Sequence, residues 1–174
     1  MFKKRKGQIW IETVIYTLIA FTIIGLVLTF VKPAIEKIQD KAIIDQSNEM
    51  LDEINLLINE IRVPGNQRLI ELGLKKGTLK IDGAGDKLIF ELETLYEYSE
   101  PGTNVSKGDT IVFTENRGKF NMVTLTRNYG DKYDLRSDDQ DLLKTITKSP
   151  NPYNLLISNK GELANKIIIN LKVS

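Results

Sequence analysis

The chain has 174 residues, with 24 Lys plus Arg against 23 Asp plus Glu, and contains neither His nor Cys. Without those two residues there is no Ser-His-Asp or Cys-His relay, no disulfide framework and no ordinary zinc site. A net charge of +1 is not the basic excess of a nucleic-acid binder, so no nucleic-acid partner is expected.

Charge is sorted along the chain. Lys3, Lys4, Arg5 and Lys6 crowd the start, residues 8–62 carry 4 basic against 8 acidic groups, and residues 63–174 carry 16 against 15. Directly after the basic cluster, residues 13–31 hold no charge, and 12 of these 19 are Leu, Ile, Val or Phe. Those side chains favour membrane insertion by ~4–7 kcal/mol. A helix of this length rises ~28 Å, close to the bilayer's hydrocarbon thickness. The basic cluster should stay cytoplasmic, which sends the rest of the chain outside. The apolar run ends Thr29-Phe30-Val31-Lys32-Pro33-Ala34-Ile35, with bulky groups where a secretory signal needs small ones, so the helix is expected to be kept. Glu12 is the one charge inside this stretch, and Trp10 is placed as an interface anchor.

Read together, Lys3-Lys4-Arg5-Lys6-Gly7-Gln8-Ile9-Trp10-Ile11-Glu12 runs straight into the apolar helix. The pattern resembles the class III signal peptide of archaeal type IV pilins, and Gln after the cut resembles the adhesion-type pilins among them. The resemblance implies that residues 1–7 are removed by a prepilin peptidase cutting between Gly7 and Gln8, leaving Glu12 as the fifth mature residue. It further implies a structural subunit rather than an enzyme, stored in the membrane and polymerised through its helix into a surface filament for adhesion. The implied partners are other copies of the chain, the prepilin peptidase, and the pilus assembly platform with its ATPase. No cofactor is implied. Within the filament, Gln8 and Glu12 would set register, the carboxylate of one subunit pairing with the terminal amine of its neighbour. Trp10, Ile15, Leu18, Phe21, Ile24 and Leu28 would line first lipid and then the filament core. The alternative is an uncleaved single-span anchor carrying an extracytoplasmic binding or sensor domain.

Helical rhythm resumes over residues 34–62. Ser47, Leu51, Ile54, Ile58 and Ile61 recur at spacings of four and three, one stripe of a helix, and Ile35, Ile38 and Ala42 begin a similar stripe upstream. Gly25 and Pro33 are candidate flex points, with simple packing as the equal alternative. Val63-Pro64-Gly65 marks the stop.

From residue 66 to 174 the period changes to two. Strands are expected around Leu79 and Ile81, at 88–93, 110–114, 120–127, 153–158 and 166–173, six or seven in all. The expected fold class is therefore α+β: a long N-terminal helix followed by an antiparallel sheet or small sandwich, one face covered by the amphipathic half of the helix. Asn104-Val105-Ser106 is an N-glycosylation acceptor in a loop-like stretch. Asp131, Asp134, Asp138, Asp139 and Asp141 lack a calcium-loop spacing and read as a solvated loop, so no metal site is expected. Gly83-Ala84-Gly85 reads as a turn. Tyr96, Tyr98, Tyr129, Tyr133 and Tyr153 fit either an adhesive surface or edge-strand packing.

Overall fold

A computed structural model describes the backbone of residues 5–174 and the side chains of residues 10–174. The chain divides into two compact units, one ending at Ile38 and one spanning Gln39–Ser174.

The described residues of the first unit are all helix. Helix α1 (Arg5–Glu60) is assigned without a break through Pro33 and continues into the second unit. Its apolar window has a mean hydropathy of 2.5, and none of that window is buried within the chain. One helix is thus long and apolar enough to cross a membrane.

The second unit begins with the remainder of α1, which ends two residues short of the expected 62. Ten strands follow: β1 (Gln67–Leu72), β2 (Thr78–Asp82), β3 (Lys87–Thr94), β4 (Asn104–Lys107), β5 (Thr110–Asn116), β6 (Asn121–Asn128), β7 (Tyr133–Ser137), β8 (Leu143–Thr147), β9 (Tyr153–Leu163) and β10 (Lys166–Val173). They form a four-stranded sheet in the order β1-β9-β10-β7 and a six-stranded sheet in the order β4-β5-β6-β3-β2-β8. Every pairing is antiparallel except β10 with β7, where Ile169 stands opposite Leu135 in parallel register. The unit is α+β, as expected, but with more strands and a mixed four-stranded sheet.

One core joins all three parts. Leu51, Ile54, Ile58 and Ile61 of α1 are buried with Leu88, Phe90 and Leu92 of β3, Val123 and Leu125 of β6, and Ile169 and Leu171 of β10. The predicted helix stripe is therefore the stripe that packs, Ser47 included. Its upstream extension differs. Ile35, Ile38 and Ala42 are exposed, and the buried row starts instead at Asp40 and Ile44, whose spacing leads directly into Ser47. An acidic residue can open that row because Lys76, from the β1–β2 loop, pairs with it.

Candidate functional site

The feature that calls for a partner is the first unit. Every described side chain from Trp10 to Ile35 is exposed, including Trp10, Ile15, Leu18, Phe21, Ile24 and Leu28. A run this apolar, left uncovered, exceeds the apolar patches that a soluble monomer tolerates. Three hydroxyls inside it are satisfied by the helix itself: Thr17 donates to the Thr13 carbonyl at 2.7 Å, Thr22 to Leu18 at 2.8 Å and Thr29 to Gly25 at 2.9 Å. Such back-bonding removes donors that lipid or a packed interface would leave unpaired.

Glu12 is different. It is exposed and has no ion-pair partner within the described residues. A carboxylate in apolar surroundings requires a counter-charge, and none comes from the described residues. The Gly7–Gln8 step expected to be cut lies outside the described residues. At Gly25 an added Cβ would meet nothing within 4 Å, so no neighbour in this chain requires glycine there.

The second unit holds its part of α1 by polar latches as well as by apolar packing. Arg127, on β6, is buried at 2 % exposure; it donates to the Leu51 carbonyl at 3.0 Å and pairs with Asp52. Tyr133 on β7 donates to Asn59 at 2.7 Å. Asn159 on β9 donates to the Ile61 carbonyl at 2.7 Å, satisfying an acceptor that the end of the helix leaves free. Further toward the start of its own unit, Asp45 accepts from Tyr98 at 2.7 Å and from Lys107 at 3.0 Å. The Tyr98 hydrogen bond, aided by Lys107, holds the Asp45 carboxyl below its usual range. Burial pushes the Tyr129 phenol upward, against the opposing pull of the nearby Arg127 guanidinium. Nothing in the sequence pattern singled out Asp40, Arg127 or Asn159.

Other predicted positions fall as follows. Asn104 is exposed, but it opens strand β4 at the edge of the six-stranded sheet rather than sitting in a loop. The acidic stretch is not simply a solvated loop, because β7 runs through it with Tyr133, Leu135 and Ser137 buried and Asp134 and Arg136 on the other face. Four of its five carboxylates are taken up by cations: Asp134 and Asp141 by Arg136, Asp138 by Lys144, and Asp139 by Lys160. Among the described residues no three potential metal-binding side chains converge. The tyrosines do not form a shared surface. Tyr129 and Tyr133 are buried edge to face in the core, and Tyr98 and Tyr153 pack against it.

Together these features define an α+β protein whose apolar N-terminal helix, compatible with a membrane anchor or a pilin-like subunit, awaits an environment outside the chain. In comparisons with protein-family models, curated proteins and solved structures, the chain matches none of them.

Proposed function

We propose that the chain is the structural subunit of an archaeal type IV pilus, inserted in the membrane as a precursor, cut between Gly7 and Gln8, and drawn into a surface filament through its apolar helix. The observation that carries this reading is an uncovered apolar stretch, residues 8–31, whose only charged side chain is Glu12, the fifth residue after a Gly7–Gln8 cut that follows four basic residues. A simple anchor gains nothing from that carboxylate, which at the interface end of the span adds nothing to insertion. A polymer does gain from it. Once helices pack against one another away from lipid, an unpaired Glu12 is costly, and only the axial offset that brings it to a neighbour's terminal amine relieves the cost. The apolar side chains stay out of water by facing lipid first and neighbouring helices afterwards.

On this reading the second unit is displayed at the cell surface, with Asn104 available to a glycan and the outer faces of both sheets to whatever the filament adheres to. Prepilin peptidase, assembly platform and ATPase act on the chain in turn. The test is Glu12→Ala beside Glu12→Gln in cells that make the filament. Both variants should insert in the membrane at wild-type levels or better, yet yield little or no sheared filament. Normal filament yield from both would remove the role assigned to Glu12, and cells in which the unsubstituted chain never leaves the membrane would indicate an uncut anchor instead.

A further inference from the structure

The six-stranded sheet ends on β4, and among the described residues no strand pairs with its outer side. All four of its residues, Asn104 to Lys107, are exposed. An open edge of this kind is a template for pairing with a second chain unless charge, proline or bulk blocks it. The other edge strands carry charge within them: Arg68 and Glu71 on β1, Asp134 and Arg136 on β7, and Lys144 on β8.

Along the β4 edge such blocks stand only at the two ends. Upstream, Pro101 bridges to Thr114 of β5 and brings no backbone donor, while Gly102 donates to the Thr114 carbonyl at 2.8 Å. Downstream, Lys107 is the one charge on the strand, and it donates to Asp45 at 3.0 Å and to Tyr98 at 2.7 Å. Between them lies an uncharged run that includes Val105, 40 % exposed and opposite Val112 in register. That same run is the chain's single glycosylation acceptor. Asn104-Val105-Ser106 is the only Asn-x-Ser/Thr triplet in the 174 residues.

We infer that Asn104 carries an N-linked oligosaccharide whose task is to cap the β4 edge, keeping the six-stranded sheet of one copy from pairing with that of another. A hydrated glycan at this point supplies the bulk that the middle of the edge lacks. The co-reactant is an oligosaccharide activated at its anomeric carbon as a phosphate ester, brought by a transferase. The Asn104 amide nitrogen forms a bond to that carbon, the carbon–oxygen bond breaks with its electron pair leaving on the phosphate, and the amide gives up one proton to the transferase's base. The inference rests on the reading above only for the exterior location of the second unit, not for polymerisation.

The test weighs the tryptic peptide 88–107 of the full chain recovered from membranes and from sheared material. It should be heavier by one oligosaccharide, an increment lost in Asn104→Gln and in Ser106→Ala and kept in Ser106→Thr. In non-ionic detergent the Asn104→Gln chain should scatter several-fold more light than the parent. Adding Val105→Lys, which puts a charge on the same edge without a glycan, should return scattering to the parent level; a merely misfolded variant would not be rescued in this way. A peptide with no added mass overturns the inference. Because the chain has no cysteine, Asn104→Cys labelled on intact cells with an impermeant maleimide then shows whether the exterior location fails with it. Added mass with equal scattering from parent and Asn104→Gln, or aggregation that Val105→Lys leaves unchanged, overturns the capping role. A glycosylated chain that disperses as expected but never leaves the membrane supports the cap and removes the polymer reading alone.

Discussion

Two aliphatic residues two positions apart on α1, and so on different faces, should respond very differently to truncation. Ile54 is fully buried in the core, whereas Leu56 is 63 % exposed. Ile54→Ala removes three buried carbons, about 2.4 kcal/mol at ~0.8 kcal/mol for each buried methylene. The cavity left behind adds to this, within the usual span of about 2–5 kcal/mol for such substitutions. Leu56→Ala removes surface that is mostly wet already, so a change within ~0.5 kcal/mol is expected. Against a total stability of roughly 5–15 kcal/mol, the first change is large and the second is not. The full chain in a non-ionic detergent can be unfolded with urea while the near-ultraviolet signal of buried Tyr129 and Tyr133 is followed. With a slope of ~1–3 kcal/mol per molar urea, the Ile54→Ala midpoint should fall by about 1–3 M while that of Leu56→Ala stays put. Equal shifts for the two would refute the helix register that places Ile54 inward.

Two further outcomes follow from local geometry. Gly118→Ala should cost about 1–2 kcal/mol from its left-handed backbone alone. Gly77→Ala should cost clearly more in the same urea assay, because at φ +85° its new Cβ would lie 2.6 Å from the Phe90 ring and 2.7 Å from the Glu91 carbonyl oxygen. For Asp45, whose carboxyl the Tyr98 hydrogen bond holds below the ordinary 3.8, stabilisation is present above that value and lost as pH falls through the lowered one. Asp45→Asn should therefore be less stable than the parent at pH 6, by no more than ~1 kcal/mol for so exposed a group. The gap should close below pH 3.8; a gap that persists in acid would show that charge is not its source.

How much of this was legible in the sequence depends on where each element finds its partners. The packed stripe of α1 was readable because a helix face on a core repeats at three and four, and Ser47 to Ile61 keep that rhythm. Strands β3 and β10 were readable for the matching reason at period two. The four strands not foreseen carry weaker patterns. β4 is exposed at all four residues, β8 buries only Ile146, and β1 buries only Leu72. Strand β7 does alternate, but Asp134 and Arg136 lie on the outer face and mask the pattern as a charged loop. Asp40 was obscured in the same way, since its burial depends on Lys76, 36 residues away. Arg127 reaches Leu51 across 76 positions and Asn159 reaches Ile61 across 98, separations at which local periodicity carries no information. The exposed Ile35 and Ile38 show the converse: apolar spacing marks a face that wants covering, and the cover need not come from the same chain. For the site, Glu12 was legible because one charge in an uncharged stretch is conspicuous; its partner was not, because none lies among the described residues.

The most direct test of the account is the mass of the chain in two places, the membrane and the material sheared from the cell surface. Intact-mass and N-terminal peptide analysis of the sheared fraction should find a chain beginning at Gln8, free or cyclised, with the longer precursor confined to the membrane. A chain that retains the basic leader and is found only in the membrane would contradict the account and leave an uncut, single-span anchor in its place.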